Sequence, residues 1–133
     1  MSITKNVVFK DFDISFTKHP VTRKLNILKN DLAVARSIKS LVLTNKLERP
    51  YQPSIGSNVK ARLFEESNSL TSDLIQQDIE ECINLYEPRA ELTFPGVVVN
   101  QDIDNHTVAV NITFRVVNQT EPITINVILD RVR

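Results

Sequence analysis

One short stretch, Ile83-Asn84-Leu85-Tyr86-Glu87-Pro88-Arg89, constrains the fold more than any other, because the hydrophobic period changes across it. Upstream, Ile75, Ile79, Cys82, Ile83 and Tyr86 recur at three- and four-residue spacing, the stripe of an amphipathic helix that packs on a core. Downstream, Val108, Val110, Ile112, Phe114 and Val116 alternate with Thr107, Ala109, Asn111, Thr113 and Arg115, the pattern of a strand with one face on a core and one toward water. Pro88 has no amide hydrogen and disfavours helical geometry at Glu87, so the helix ends by Tyr86 or Glu87. With the backbone extended through Pro88, Glu87 and Arg89 point to the same side, roughly 7 Å apart along the strand. Glu87 also lies at the negative end of the helix dipole, which disfavours it unless a cation answers it. The corner is either a solvated ion pair worth at most ~1 kcal/mol or a rigid contact point.

The pattern on either side predicts the remaining elements. Leu92 and Phe94, then Val97-Val98-Val99, form a strand that Pro95-Gly96 bulges or bends. Asn100 to Asn105 is a hairpin loop, Asn118-Gln119-Thr120-Glu121-Pro122 a second turn, and Ile123, Ile125, Val127 and Leu129 a last antiparallel strand. Before the corner, Asn30 or Asp31 caps a first helix that carries Val34, Ile38, Leu41 and Val42 on one face, with Ala35 beside them, and runs to about Asn45. Leu47 to Gly56 contains Pro50, Pro53 and Gly56, which no regular element tolerates, and Gly56 suits a backbone position with positive φ. A short helix follows, with Ser57 as N-cap and Val59, Leu63 and Phe64 facing inward. Glu65 to Ser69 breaks it, and the third helix starts near Thr71 or Ser72 with Asp73 in its first turn. The class is α+β: about three helices on one face of a three-stranded antiparallel meander.

Residues 1–29 are read as an arm. Phe12, Ile14 and Phe16 alternate with Asp11, Asp13 and Ser15, as an additional half-buried N-terminal strand would. Leu25, Ile27, Leu28 and Leu32 either begin a helix or form a segment that docks on another chain. Both edges of the meander are open, and an open edge either aggregates or receives a strand.

At 133 residues and 41% apolar content the chain suits one domain with a real core. Formal net charge is zero and the pI near 6.7, so protein partners are expected and neither nucleic acid nor an anionic membrane surface. The single cysteine, Cys82, excludes an internal disulfide and fits a reducing compartment, where it serves as a small core residue. No stretch approaches the ~20 apolar residues of a membrane span, and the N-terminus lacks a signal-peptide core. The sequons at Asn105, Asn111 and Asn118 then read as polar strand and turn positions.

Catalytic chemistry has few candidates. His19 and His106 lack the acidic or nucleophilic company of a triad or metal site, so no metal and no catalytic residue is assigned. Two glycines, Gly56 and Gly96, cannot build a phosphate-cradling loop, so no cofactor or small-molecule substrate is expected. Glu65, Glu66, Glu80, Glu81 and Glu87 could supply the two carboxylates of a glycosidase, but nothing in the sequence sets a pair across a cleft.

Four motifs, taken in order, resemble one family: Arg36-Ser37-Ile38-Lys39-Ser40-Leu41, Glu48-Arg49-Pro50 with Pro53 and Gly56, Leu63-Phe64-Glu65, and Tyr86-Glu87-Pro88-Arg89. Together they are similar to the baseplate wedge subunit of contractile-tailed phages of the T4 type, a family that includes a short baseplate subunit of type VI secretion systems and some members with an old lysozyme label. The likeness runs from about Ile14 to the C-terminus, and Glu87-Pro88-Arg89 matches the family's best-known signature. Members usually carry glycine where this chain has Leu47, and an aromatic residue where it has Ile55.

The resemblance implies a structural, non-enzymatic protein of the virion tail baseplate, assembled in the bacterial host cytoplasm, with residues 30–133 as the wedge domain. It implies that the protein helps assemble the wedge and initiates sheath polymerisation by strand sharing. The implied partners are other wedge subunits, the tail sheath protein, and tube or spike proteins. Glu87, Pro88, Arg89 and Arg49 would meet those partners, on a loop shaped by Pro50, Pro53 and Gly56. A peptidoglycan-cleaving glycosidase and a type VI secretion subunit are the alternatives.

Overall fold

A computed structural model of the chain describes residues 9–117 and 119–130. The start of the expected arm, residues 1–8, and Asn118 of the second turn lie outside the described residues. The elements run β1 (Lys10–Phe12), β2 (Ile27–Lys29), α1 (Asp31–Leu43), α2 (Val59–Leu63), α3 (Ser69–Tyr86), β3 (Ala90–Asp102), β4 (Thr107–Val116) and β5 (Pro122–Asp130). Strands β3, β4 and β5 form an antiparallel meander in that order, and β1 pairs with β2 in a separate two-stranded sheet. This is the expected α+β arrangement, with the hairpin β1–β2 as the additional N-terminal element.

The core forms where the two periods meet. Val34 and Ile38 of α1, Ile75, Ile79 and Ile83 of α3, and Val110, Ile112 and Phe114 of β4 are fully buried, joined by Val59 and Leu63 of α2. Each such side chain contributes roughly 1.5–3 kcal/mol by leaving water. Tyr86, last of the α3 stripe, is only half-buried because its hydroxyl reaches out to donate to the Ser54 carbonyl (2.8 Å). On the opposite face of the sheet, Thr113 and Thr124 share a hydrogen bond (3.0 Å), and Asn126 donates to Asn111 (2.6 Å).

Several boundaries differ from the sequence reading, each for a local reason. Helix α3 begins at Ser69, earlier than Thr71 or Ser72, because the Asn68 side chain accepts from the Thr71 amide (2.8 Å) and caps it there; Asp73 falls beyond the first turn. Asn30 precedes α1, but its side chain accepts from the Phe9 amide (3.3 Å) and does not cap the helix. The same helix stops at Leu43, before Asn45, as Thr44 turns extended and its hydroxyl bonds back to the Ser40 carbonyl (2.7 Å). Ser57 is not the cap of α2; Asn58 precedes that helix, and the buried Ser57 hydroxyl donates to the Val42 carbonyl (2.7 Å). Phe64 faces outward and is 74% exposed, since α2 has ended and turned away by then.

The N-terminal alternation is also misleading. Strand β1 stops at Phe12, and Asp13 to Ser15 is a turn held by the Asp13 carboxylate on the Ser15 amide (3.1 Å). Phe12, Ile14 and Phe16 are exposed rather than half-buried. Leu25 to Leu32 is not one continuous helix: Ile27–Lys29 is strand β2, and α1 begins at Asp31.

Candidate functional site

The corner is built where α3 hands over to β3. Glu87 leaves helical geometry (φ −126°, ψ 76°), while its amide still closes the last turn on the Ile83 carbonyl (2.9 Å). Arg89 therefore returns beside Glu87, as the two-residue spacing requires. Its Nε donates to Glu87 Oε1 (2.7 Å) and a terminal nitrogen donates to Oε2 (3.0 Å), a bidentate pair. The Ser37 hydroxyl, fifty residues earlier on α1, donates to the same Oε2 (2.5 Å). Arg89 also lies over the Phe9 ring, 5.3 Å from its centroid.

Burial pushes the Glu87 carboxyl toward its neutral form, but the hydrogen bonds from Arg89 and Ser37 outweigh it and hold the pKa below the ordinary carboxylate value. The Glu87 side chain is 4% exposed and that of Arg89 32% exposed. The acid is spent inside the fold, while the guanidinium keeps one side toward solvent. Pro88 is exposed between them.

Arg49 comes to the same neighbourhood from the loop. It lines a groove of about 260 Å³ together with Arg36, Ser37 and Ser40 of α1, Phe12 and Ile14 of the N-terminal segment, and Tyr86. The loop is held in shape by its backbone: the Leu47 amide donates to the Pro53 carbonyl (2.8 Å) and the Asn45 amide to the Glu48 carboxylate (2.7 Å). Glu48 is thus occupied within the loop, and Arg49 and Pro50 face solvent.

Gly56 has φ +138°, and an added Cβ would lie 2.7–2.8 Å from the Asn45 and Thr44 backbone, so glycine is required there. Leu47 takes φ 72°, a left-handed conformation that favours glycine. An 82% exposed leucine accepts the strain there. Cys82 is buried behind the loop, with its thiol on the Gly56 carbonyl (3.2 Å) and its pKa pushed up to about 11 by burial.

Glu87, Pro88 and Arg89 form one unit, then, and Arg49 faces the groove beside it; Pro50, Pro53 and Gly56 lie in the loop between, with the Pro53 carbonyl and Gly56 backbone making the contacts described above. Ser37 and Phe9 belong to the unit and carried no role in the sequence reading. Ser37 stood inside the motif Arg36-Ser37-Ile38-Lys39, but nothing in the helical period shows that a hydroxyl on α1 meets a carboxylate after α3. Among the described residues, no group of three or more His, Cys, Asp or Glu is placed to hold a metal ion.

Fold and corner together define a small structural α+β domain, with three helices on one face of an antiparallel meander and an ion pair locking helix to sheet. The sequence profile of the family described as baseplate wedge protein gp25 matches residues 29–121, and the chain belongs to that family. It is 30% identical over 91 residues to the baseplate wedge protein gp25 of Enterobacteria phage T4, which covers 68% of this chain and 67% of that one. It is accordingly a structural protein of a virion tail baseplate.

Solved structures agree on the fold. A Geobacter sulfurreducens protein with a tail-lysozyme label superposes with TM-score 0.68 at 25% identity, covering 75% of this chain and 89% of that one. A chain of the anti-feeding prophage baseplate gives TM-score 0.62 at 21% identity, covering 90% and 83%. A chain of the R2 pyocin baseplate after contraction gives 0.56 at 16%, covering 90% and 97%.

Proposed function

We propose that the protein works by presenting a pre-aimed ionic corner and an open sheet edge to its neighbours in the baseplate. The observation that carries this is the division of labour at Glu87–Arg89. Glu87 is saturated by Arg89 and Ser37, so the partially exposed guanidinium is held in one orientation beside a groove that also receives Arg49. A preorganised arginine costs little entropy on docking and can fork two hydrogen bonds onto a carboxylate or carbonyls. Pro88, Arg89 and Arg49 make the contact in this scheme, and Glu87 positions Arg89.

The partners are other wedge subunits at the corner and the first sheath subunits at the sheet edge, with tube or spike proteins beyond. Strand sharing at that edge starts sheath polymerisation, because a preformed sheet removes the cost of nucleating a new one. Assembly takes place in the bacterial host cytoplasm, without a membrane or nucleic acid, and residues 1–29 act as an arm to the domain 30–133.

Charge reversal Arg49→Glu tests the corner without touching the buried pair. The variant should fold and melt like the parent yet fail to co-sediment with wedge complexes. Normal incorporation would sink the assignment.

The tail-lysozyme label of the Geobacter relative raises a glycosidase as the second possibility. A glycosidase acid needs a raised pKa, whereas Glu87 is held low. The proposed protein turns over no substrate. Clearing of a cell-wall suspension by the pure chain, abolished by replacing one glutamate, would decide for the enzyme.

A further inference from the structure

We propose that the outer face of the β1–β2 hairpin docks a second copy of this chain, whose α3 offers it an acidic, leucine-bearing face. The contact uses neither the Glu87–Arg89 corner nor the edge of the meander, so it stands apart from the function above.

The net charge of zero hides a division along the chain. Residues 10–49 hold nine lysines and arginines against four acids, whereas residues 63–88 hold seven acids and no lysine or arginine. The hairpin gathers part of the cationic share on one surface. Lys10 stands directly opposite Lys29, and Phe12 opposite Ile27, so the two-residue period of the strands puts all four on one face. All four are exposed, while Leu28 on the other face is half-buried and lines a groove with residues of α1.

Like charges directly opposite one another destabilise a strand pair, and a two-stranded hairpin has little stability to spare. Neither lysine is in an ion pair among the described residues. The acids of the hairpin are engaged elsewhere: Asp11 accepts from the Phe12 amide (2.8 Å) and Asp13 from Arg36 (3.2 Å). Two facing lysines beside an exposed aromatic–aliphatic pair call for a counterpart that is both anionic and apolar.

The same chain carries that counterpart on the outside of α3. Leu70, Asp73, Gln77, Glu81 and Leu85 recur at three- and four-residue spacing, on the side opposite the buried Ile75, Ile79 and Ile83, and all five are exposed. Asp78, on the flank, is taken up by Arg62 (3.1 Å), but Asp73 and Glu81 are in no ion pair among the described residues.

The spacings agree as well. Glu81 and Leu85 lie about 6 Å apart along the helix, and the lysine pair and the Phe12–Ile27 pair lie about 7 Å apart along the strands. Glu81 of one copy therefore meets Lys10 and Lys29 of the next while Leu85 covers Phe12 and Ile27. Different patches meet on the two copies, so the association runs head to tail and continues to a ring or an open chain. A hairpin laid on one helix is a small interface, and its association is weak and concentration-dependent.

Sedimentation velocity of the full chain from about 10 μM to about 1 mM reads the contact. The average mass should rise above the 15.1 kDa of one chain with concentration. It should fall back when salt is raised from about 0.1 M to about 1 M. Two double charge reversals assign the faces: Lys10→Glu with Lys29→Glu on the hairpin, and Asp73→Lys with Glu81→Lys on α3. Each variant alone, shown to be folded by circular dichroism, should stay monomeric. A one-to-one mixture of the two should associate again, because each reversed face then finds its opposite charge. Phe12→Ser, which leaves every charge in place, should weaken the parent association about tenfold, and it decides the matter if a reversal variant does not fold. A parent chain that stays monomeric throughout overturns the proposal, as does association that survives either reversal or is unchanged in Phe12→Ser. A mixture of the folded reversal variants that remains monomeric overturns it too.

Discussion

Two glutamate–arginine pairs are built on glutamates four residues apart in this chain, Glu87 and Glu91, and the fold treats them in opposite ways. At the α3–β3 corner, Glu87 is 4% exposed and bidentate with Arg89, with Ser37 of α1 as a third member. On the solvent face of the sheet, Glu91 pairs with Arg115 directly across from it on β4, with side chains 62% and 42% exposed. The residue types are the same, but a charge removed from water has no alternative partner, whereas an exposed one falls back on solvent. The corner pair fixes the geometry of the chain; the sheet pair decorates it.

The largest expected effect breaks the first pair. Glu87→Ala leaves Arg89 without its carboxylate and the Ser37 hydroxyl facing a hole, and should cost about 3 kcal/mol, the scale for removing one partner of a buried ion pair. Urea denaturation measures it as a shift in midpoint at unchanged slope. A loss below about 1 kcal/mol would place the corner in the same class as the sheet pair.

Acidity sharpens the same contrast. The ordinary value for the Glu87 carboxyl is 4.5, and in the folded chain it lies lower, despite burial, because Arg89 and Ser37 bond the charged form. Protons therefore bind the unfolded chain more readily. The stability contributed by the pair is complete above about 4.5 and is lost as pH falls through the lowered folded value. Glu87→Gln should flatten this part of the stability–pH profile. A profile parallel to the parent's would assign the acid lability to other carboxylates.

The contrast between the pairs was only partly legible in the sequence. Pro88 announced the end of α3, and the spacing of Glu87 and Arg89 announced their pairing, since both follow from local backbone geometry. The depth of Glu87 was not legible, because it depends on α1 laying Ser37 against it across fifty residues. The core positions Val34, Ile38, Ile75, Ile79 and Ile83 were readable from their period alone.

Boundaries failed where a polar side chain chose among competing backbone partners. Asn68 took the cap of α3, and Ser57 bonded to Val42 instead of capping α2. Failure was greatest in the N-terminal hairpin, where Phe12, Ile14 and Phe16 have a strand's alternation but no core to face. Periodicity reports that a segment has an apolar side, not that the same chain covers it.

Ser37→Ala separates the anchor from the ion pair. It removes one of the three hydrogen bonds described at Glu87 and leaves the bidentate contact, so about 1 kcal/mol should be lost. The wedge co-sedimentation assay should respond as well if α1 holds the corner in register. Unchanged stability together with unchanged incorporation would reduce Ser37 to a bystander.

The smallest effect belongs to the sheet pair, and it tests whether exposure alone accounts for the contrast. Glu91→Ala should cost less than about 0.5 kcal/mol, because both groups are solvated when apart and must be ordered to meet. Salt should distinguish the pairs further. Between 0.1 and 1 M the screening length falls from about 10 Å to about 3 Å, which removes most of the attraction between exposed charges and little of that between groups out of contact with water. The small penalty of Glu91→Ala should vanish at high salt, while that of Glu87→Ala persists. If both penalties shrank in proportion, water would have to reach Glu87, and the rigidity proposed for Arg89 would have no source.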